Sequence, residues 1–224
     1  MSENKHRKKS NAKVNNLLLV LLIVTMLGTL VAFGMNIFKI VAKESEEEQV
    51  KTAEVEKPEN EFINDFYTIG HNATELNKEY FRELNTALEA QDQKAVAEAV
   101  AKCFVTEYYT WTNKDGNYDV GGMQYIYTND QRDFEVYSRY GFYHDMDLYI
   151  SQLGTENLIE VTGVTVNGVT ETSYDIDDET TATAYDVDLS WTYKANSMDT
   201  ADVQNSAVFT VVDHDGRMEI AAID

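Results

Sequence analysis

The chain has 224 residues, with 18 basic and 39 acidic side chains and a formal net charge of −21. A surface this acidic repels phosphate backbones, which argues against direct binding of nucleic acid by the acidic part of the chain from residue 44 onward. The single cysteine, Cys103, excludes an internal disulfide, so a hydrophobic core must hold the folded part together.

An apolar segment near the N-terminus predicts a membrane span. Leu17 to Phe38 contains no charged residue and no proline. As a helix, such a segment extends about 33 Å, which is enough to cross a hydrocarbon core of about 30 Å. We therefore expect a basic cytosolic tail over residues 1–16, a transmembrane helix over 17–40 and an acidic linker over 41–60.

The charges beside the span predict its orientation. Five basic residues precede it, whereas four glutamates lie between positions 44 and 48. Positive flanks stay in the cytoplasm, so we predict a single-pass protein of the cell membrane with a cytoplasmic N-terminus and an extracytoplasmic C-terminal domain. The alternative is a cleaved signal peptide, but its apolar core would be shorter, at about 7–15 residues, and would end at a small-residue cleavage site.

The extracytoplasmic domain is predicted to cover residues 61–224, which is an ordinary size for one domain. From residue 44 onward the chain carries 11 basic and 38 acidic side chains, a net charge of −27. That charge favours solubility, and it also suits a cation-rich exterior or a basic partner.

Helical spacing dominates the first half of this domain. Asn72 and Glu75 resemble a capping box at the start of an amphipathic helix that runs to Leu88. A second apolar stripe predicts a helix from Gln93 to Thr112. Cys103 lies on the apolar face of that helix, so we expect a buried hydrophobic residue rather than a nucleophile.

Residues 108–149 hold nine of the 14 tyrosines in the chain. Aromatic rings with a polar tip suit half-buried pocket walls and interfaces, although packing of helices onto a sheet also explains them. We predict that packing takes the larger share and that the stretch also supplies a pocket or an interface. The residues assigned to it are Tyr108, Tyr109, Trp111, Tyr125, Tyr127, Tyr137, Tyr140, Phe142, Tyr143 and Tyr149.

From position 157 onward the hydrophobic period changes to two, which is typical of strands. A short helical stripe at 146–153 precedes this change. Strands are predicted over 158–169 with a bulge at Gly163, over 181–195, and over 207–212 and 218–223 around the turn Asp213–Gly216. This order predicts an α+β domain in which two to three helices pack on a curved antiparallel sheet.

The helix end Cys103-Phe104-Val105-Thr106-Glu107-Tyr108-Tyr109-Thr110-Trp111 is followed by an aromatic loop. With the basic tail, anchor, spacer and terminal sheet, it resembles the bitopic inner-membrane assembly factors of type IV secretion and conjugation systems. Their outer domain has the cone-shaped fold of nuclear transport factor two. The resemblance covers about Glu61 to Asp224, although the chain is more acidic than periplasmic members usually are and has no proline between helices and sheet.

The resemblance implies a non-catalytic scaffold that self-associates and docks other subunits of an envelope complex. The predicted partners are therefore the membrane, other protein subunits and a second copy of the chain. The alternative is a membrane-tethered ligand-binding or sensory domain that uses the pocket of the cone. An enzyme is the least favoured of the three classes.

The case for an enzyme depends on His144, Asp145 and Asp147, which could act as acid and base in a pocket. A structural explanation is preferred, in which Asp145 or Asp147 caps the helix at 146–153. We therefore expect no catalytic residue and no cofactor.

Two acidic loops are candidates for cation binding. The loop from Asn113 to Asp119 fails the EF-hand pattern, because positions six and twelve hold Tyr118 and Gln124 instead of glycine and glutamate. The second loop covers residues 175–179. A looser cation site stays open at either loop, but clustered acids on a loop are more often simply solvated, and we predict no metal ligand.

Overall fold

The computed structural model describes residues 60–177, 179–194 and 198–224, which form an α+β domain. Its helices are α1 (Glu75–Glu89), α2 (Gln93–Tyr108), α3 (Gln131–Tyr140) and α4 (Met146–Leu153). Its strands are β1 (Val161–Asp175), β2 (Thr181–Tyr193), β3 (Ser206–His214) and β4 (Arg217–Ile223). They form one antiparallel sheet in the order β1-β2-β3-β4. The predicted α+β class and the antiparallel meander are confirmed.

The predicted membrane span, Leu17 to Phe38, lies outside the described residues, as do the basic tail and nearly all of the linker. Within the part of the chain that the structure describes, none of the helices has the length and apolar character needed to cross a membrane.

The cap of α1 differs from the prediction. Thr74 is the N-cap, with extended backbone angles and an Oγ1 that accepts a hydrogen bond from the Asn77 N–H at 3.2 Å. Asn72 lies two residues earlier with a φ of 55°, which is not the extended conformation of an N-cap residue. The predicted capping box at Asn72 and Glu75 is therefore wrong, although the helix itself is present.

The end of α2 also differs from the prediction, because the helix stops at Tyr108 rather than Thr112. The N–H groups of Trp111 and Thr112 donate to the carbonyl oxygen of Ile159 at 2.8 and 3.3 Å. This pairing with the segment ahead of β1 satisfies backbone groups that a longer helix would have used.

α3 is not among the predicted helices. Its apolar residues Phe134, Val136, Tyr137 and Tyr140 recur at helical spacing over only ten residues, and of those ten only Ser138 is buried, so the helix lies at the surface. The described part of the chain therefore contains four α-helices rather than two or three. α4 matches the predicted segment 146–153.

The sheet departs from the prediction mainly at β1, which continues to Asp175 rather than ending near position 169. Its pairing with β2 shifts register between Val161 and Gly163, which confirms the predicted bulge, and again between Val166 and Gly168. β3 and β4 are joined by a tight turn at residues 215–216, as predicted.

α2 lies at the centre of the domain, where it packs against α1 and all four strands. Cys103 and Phe104 are fully buried, and the Phe104 ring lies 5.7 Å from the ring of Phe209 on β3. On β2, Val187 and Leu189 of the predicted apolar face are also fully buried. The prediction that Cys103 is a buried residue is confirmed.

Candidate functional site

The ten aromatic residues assigned to a pocket or an interface fall into three groups. Six are buried: Tyr108, Tyr109, Trp111, Tyr125, Tyr127 and Tyr143. Phe142 and Tyr149 are half-buried. Tyr137 and Tyr140, both on α3, are 76% and 79% exposed. Most of the stretch therefore packs the domain, and a subset of four rings also contributes to a cleft.

That subset lines an open cleft of about 630 Å³. Its aromatic residues are Tyr108 and Tyr109 at the end of α2, Phe134 and Tyr137 on α3, and Phe142 in the loop that follows. Residues 220–223 of β4 complete the wall. Four of the ten predicted residues thus share one cleft, whereas Tyr125 and Tyr127 pack elsewhere in the domain.

Hydrogen bonds hold the phenol groups at the base of the cleft. Tyr108 donates through its hydroxyl to Ser138 Oγ at 3.1 Å, and Tyr109 donates to Gln204 Oε1 at 2.8 Å. Burial raises the pKa of Tyr108 to about 12, so its phenol is neutral at physiological pH. Both rings pack 5.3 Å from the Phe142 ring. The base of the cleft is therefore an uncharged and well-packed aromatic surface.

Two carboxylates lie at the rim of the cleft. Asp130 occupies the N-cap position of α3 and Asp133 lies in its first turn. Both are exposed, and among the described residues neither carboxylate has an ion-pair or side-chain hydrogen-bond partner. No basic side chain of the described residues lines the cleft. The cleft therefore combines aromatic faces with negative charge that is not neutralised locally.

A buried carboxylate, Glu107, lies on α2 within the predicted apolar stripe, which gives no hint of its role. Its Oε1 accepts from the Gly70 N–H and the Tyr125 hydroxyl, both at 3.3 Å, and its Oε2 accepts from the Gly122 N–H at 3.2 Å. Burial raises the pKa of Glu107. These three hydrogen bonds explain Glu107 as a structural residue, because they join the segment before α1 and residues 122–125 to α2.

Lys114 lies close to this centre and is also buried, with 6% of its surface exposed. Its Nζ donates to Asn113 Oδ1 at 2.9 Å. Burial lowers the pKa of Lys114, while the nearby Glu107 carboxylate partly offsets that effect.

The first acidic loop meets a histidine that the sequence pattern does not single out. His71 Nε2 lies 3.1 Å from Asp119 Oδ2 and 3.7 Å from Asp115 Oδ2. These three ligand atoms lie within 4.8 Å of one another, a spacing that a divalent cation could bridge. A histidine paired with two carboxylates on an exposed loop explains the same distances. In the second loop, Asp177 Oδ1 accepts the Glu179 N–H at 2.8 Å.

The residues that favoured an enzyme do not converge on the cleft. His144 Nδ1 lies 2.8 Å from Asp145 Oδ1, and both side chains are mostly exposed. Asp145 holds the N-cap position of α4 but makes no capping hydrogen bond with described residues, and Asp147 Oδ1 accepts the Asn117 N–H at 3.0 Å. The predicted side-chain cap of α4 is therefore not formed.

The fold and the site together define an α+β domain with an aromatic cleft that has an acidic rim. Comparison of the chain with protein-family models, curated proteins and solved structures finds no match.

Proposed function

We propose that this chain is a membrane-anchored extracytoplasmic scaffold whose folded domain binds other protein subunits of a conjugative transfer or secretion apparatus without catalysing a reaction. The observation that carries the proposal is the exposed apolar face of α3. Val136, Tyr137 and Tyr140 are 49%, 76% and 79% exposed. Exposed aromatic side chains in a contiguous patch are typical of protein interfaces.

The spacing of these residues makes the patch continuous. Val136 and Tyr140 are one helical turn apart, as are Tyr137 and Tyr140, so the three side chains are neighbours. Tyr137 also lines the aromatic cleft, which joins the helix face to the concave surface beside β4. A partner could therefore contact the helix and insert a segment into the cleft at the same time.

The membrane part of the proposal is supported by the sequence. The uncharged segment Leu17 to Phe38, with basic residues before it and glutamates after it, suits an anchor that holds the domain outside the cytoplasm. The resemblance to assembly factors of type IV secretion supports the class of partner. Protease added to intact cells is expected to remove the domain and spare the basic tail, and a protected domain would contradict this topology.

Photo-crosslinking in the native membrane tests the interface. A photoreactive phenylalanine analogue at position 137 or 140 of the full-length protein is expected to give discrete crosslinks to envelope subunits or to a second copy of the chain. Position 118 is a matched control, because Tyr118 is also exposed, at 62%, but does not line the cleft. Equal crosslinking from all three positions, or none from 137 and 140, would refute the proposal.

A second candidate function, a ligand-binding or sensory domain, is favoured by the volume of the cleft. Small-molecule sites commonly have volumes of about 300–1,000 Å³ and apolar walls with few polar groups. Substitution separates the two functions, because Tyr137 lines the cleft whereas Tyr140 does not. Binding of a small ligand would be weakened by Tyr137→Ser and not by Tyr140→Ser, whereas binding of a protein partner would be weakened by both substitutions.

A further inference from the structure

We propose that the cleft between α3 and β4 binds an extended segment of a protein partner that carries arginine. This inference rests on the proposed function and specifies the chemistry of the partner. It depends on three observations: the aromatic faces of the cleft, the two carboxylates at its rim and the backbone of β4 at its wall.

The first two observations indicate a cationic group. Phe134, Tyr137 and Phe142 present rings to the cleft, and Asp130 and Asp133 lie at its edge without cationic partners among the described residues. A cation over an aromatic face is attracted by the ring electrons, and a carboxylate beside it strengthens the attraction. Arginine fits better than lysine, because its planar guanidinium stacks on rings, pairs with carboxylates through two hydrogen bonds and is more weakly hydrated.

The third observation indicates an extended backbone. Val208 and Asp224 exchange both backbone hydrogen bonds, each 3.0 Å long. In an antiparallel pair the next residue directs its N–H and C=O groups away from the partner strand, so those of Ile223 point away from β3. Ile223 lines the cleft on an edge strand of the sheet. A peptide in the cleft can therefore add backbone hydrogen bonds to its side-chain contacts.

Closer to the start of β4, at Ile220, the outer edge of the strand already pairs with another backbone segment of this chain. The Tyr127 N–H donates to the Ile220 carbonyl oxygen at 2.9 Å, and Ile126 forms a parallel bridge with Ile220. The segment before α3 thus covers one part of the edge, whereas no other described segment pairs with the edge at Ile223, which lines the cleft. A bound segment would continue the pairing where residues 126–127 leave it.

A simpler explanation of the two carboxylates is that they favour the N-terminus of α3, where the helix dipole attracts negative charge. That explanation predicts an effect of Asp130 and Asp133 on stability and none on binding. The proposal predicts a large effect on binding, and this difference makes it testable.

The test uses the full-length protein in lipid nanodiscs and the synthetic peptide Ac-TVRVTRVT-amide. A counterpart in which citrulline replaces both arginines keeps the shape and removes the charge. Isothermal titration calorimetry is expected to show at least about tenfold tighter binding of the arginine peptide, with an affinity that falls as salt increases. Equal binding of the two peptides, or no binding of either, would overturn the proposal.

Variants test whether the arginine peptide binds in the cleft. We expect the double variant Asp130→Asn, Asp133→Asn to weaken binding of the arginine peptide by about tenfold or more, and we expect the same of the single variant Tyr137→Ser. Asp65→Asn is the matched control, because Asp65 is exposed and does not line the cleft. A loss of stability in the double variant without weaker binding would support the helix-dipole explanation and overturn the proposal.

Two further outcomes separate this inference from the proposed function. If tetramethylammonium alone occupies the cleft and the peptide does not compete, the site takes a small cation and the peptide proposal is wrong. If photo-crosslinks from positions 137 and 140 form while the arginine peptide fails to bind, the scaffold function stands and only the chemistry assigned to its partner fails.

Discussion

Gly121 lies directly against the backbone carbonyl oxygen of Glu107. A Cβ atom at position 121 would overlap that oxygen and would lie 2.9 Å from Lys114 Nζ. The next residue, Gly122, has a φ of 74°, and a Cβ there would lie 2.8 Å from the Phe104 ring. The two glycines therefore let the loop approach α2 closely enough for the Gly122 N–H to reach the buried carboxylate.

Gly121→Ala is expected to lower the free energy of unfolding by about 3 kcal/mol, because the backbone contact with α2 cannot relax without moving the loop. Thermal or urea unfolding of the full-length protein in detergent measures the change. Gly168→Ala is the control, since a Cβ at that position would meet nothing within 4 Å. A Gly121→Ala variant as stable as the wild type would contradict the close approach.

Glu107→Gln is expected to change how stability depends on pH. Burial raises the pKa of Glu107 above its ordinary value of 4.5, so between pH 4.5 and that raised pKa the native state binds more protons than the unfolded state. The contribution of Glu107 to the free energy of unfolding therefore falls as the pH rises through this window. Glutamine removes that contribution, so the stability of Glu107→Gln relative to the wild type should increase from pH 4.5 toward neutrality.

The exposed Glu89→Gln variant is the control for this pH series. Unfolding curves collected between pH 4 and 8 give the comparison. A difference between Glu107→Gln and the wild type that stays constant over the series would mean that Glu107 does not titrate as its burial predicts.

Tyr143→Phe is expected to cost about 2 kcal/mol of unfolding free energy, because the buried Tyr108 carbonyl oxygen and the partly buried Gly121 N–H both lose this partner. The Tyr143 hydroxyl donates to the Tyr108 carbonyl oxygen at 2.6 Å and accepts the Gly121 N–H at 3.2 Å. Tyr118→Phe, at a residue that is 62% exposed, should change stability by less than about 0.5 kcal/mol. Equal effects of the two substitutions would show that this bridge contributes little.

Thr74→Ala is expected to destabilise the domain by about 1 kcal/mol, because the Asn77 N–H loses its capping partner. Thr74→Ser keeps a hydroxyl at the cap and should recover most of the loss. Chemical denaturation of both variants checks this prediction. If Thr74→Ala unfolds like the wild type, the start of α1 is not held by this cap.

Cys103 is expected to be unreactive in the native protein. Its side chain is fully buried, and burial raises the pKa of its thiol well above the ordinary value. Since the thiolate is the reactive form, a disulfide reagent should modify no thiol in the native state and one thiol per chain after denaturation. Rapid modification of the folded protein would contradict the placement of Cys103 in the core.

Some features of the fold could be predicted because they depend on short stretches of sequence. β2 alternates apolar and polar residues from Tyr185 to Tyr193, and α4 carries a helical stripe that ends at Gly154. Periodicities of two and 3.6 residues arise from local backbone geometry, so they can be recognised without knowledge of the rest of the chain. The same reasoning gives the α+β order and the turn before β4.

For the candidate site, the sequence predicted only that its residues are rich in tyrosine. The density of tyrosine over residues 108–149 indicates half-buried surfaces, but it does not say which rings meet. Tyr109, Tyr137 and Ile223 reach one cleft from three separate elements. α3 supplies Phe134 and Tyr137 to that cleft, and its helical spacing runs over only ten mostly polar residues, which is too short for the pattern alone to establish a helix.

By itself, the sequence determined the α+β class, the strongly acidic surface and the burial of Cys103, since these depend on composition and on local periodicity. Only the tertiary structure decided where α2 ends, which residue caps α1 and which aromatic rings line the cleft. Those features depend on contacts between residues far apart in the chain, such as Trp111 with Ile159 and Glu107 with Gly70. Local preferences are weak compared with such contacts, so the packed domain overrides them.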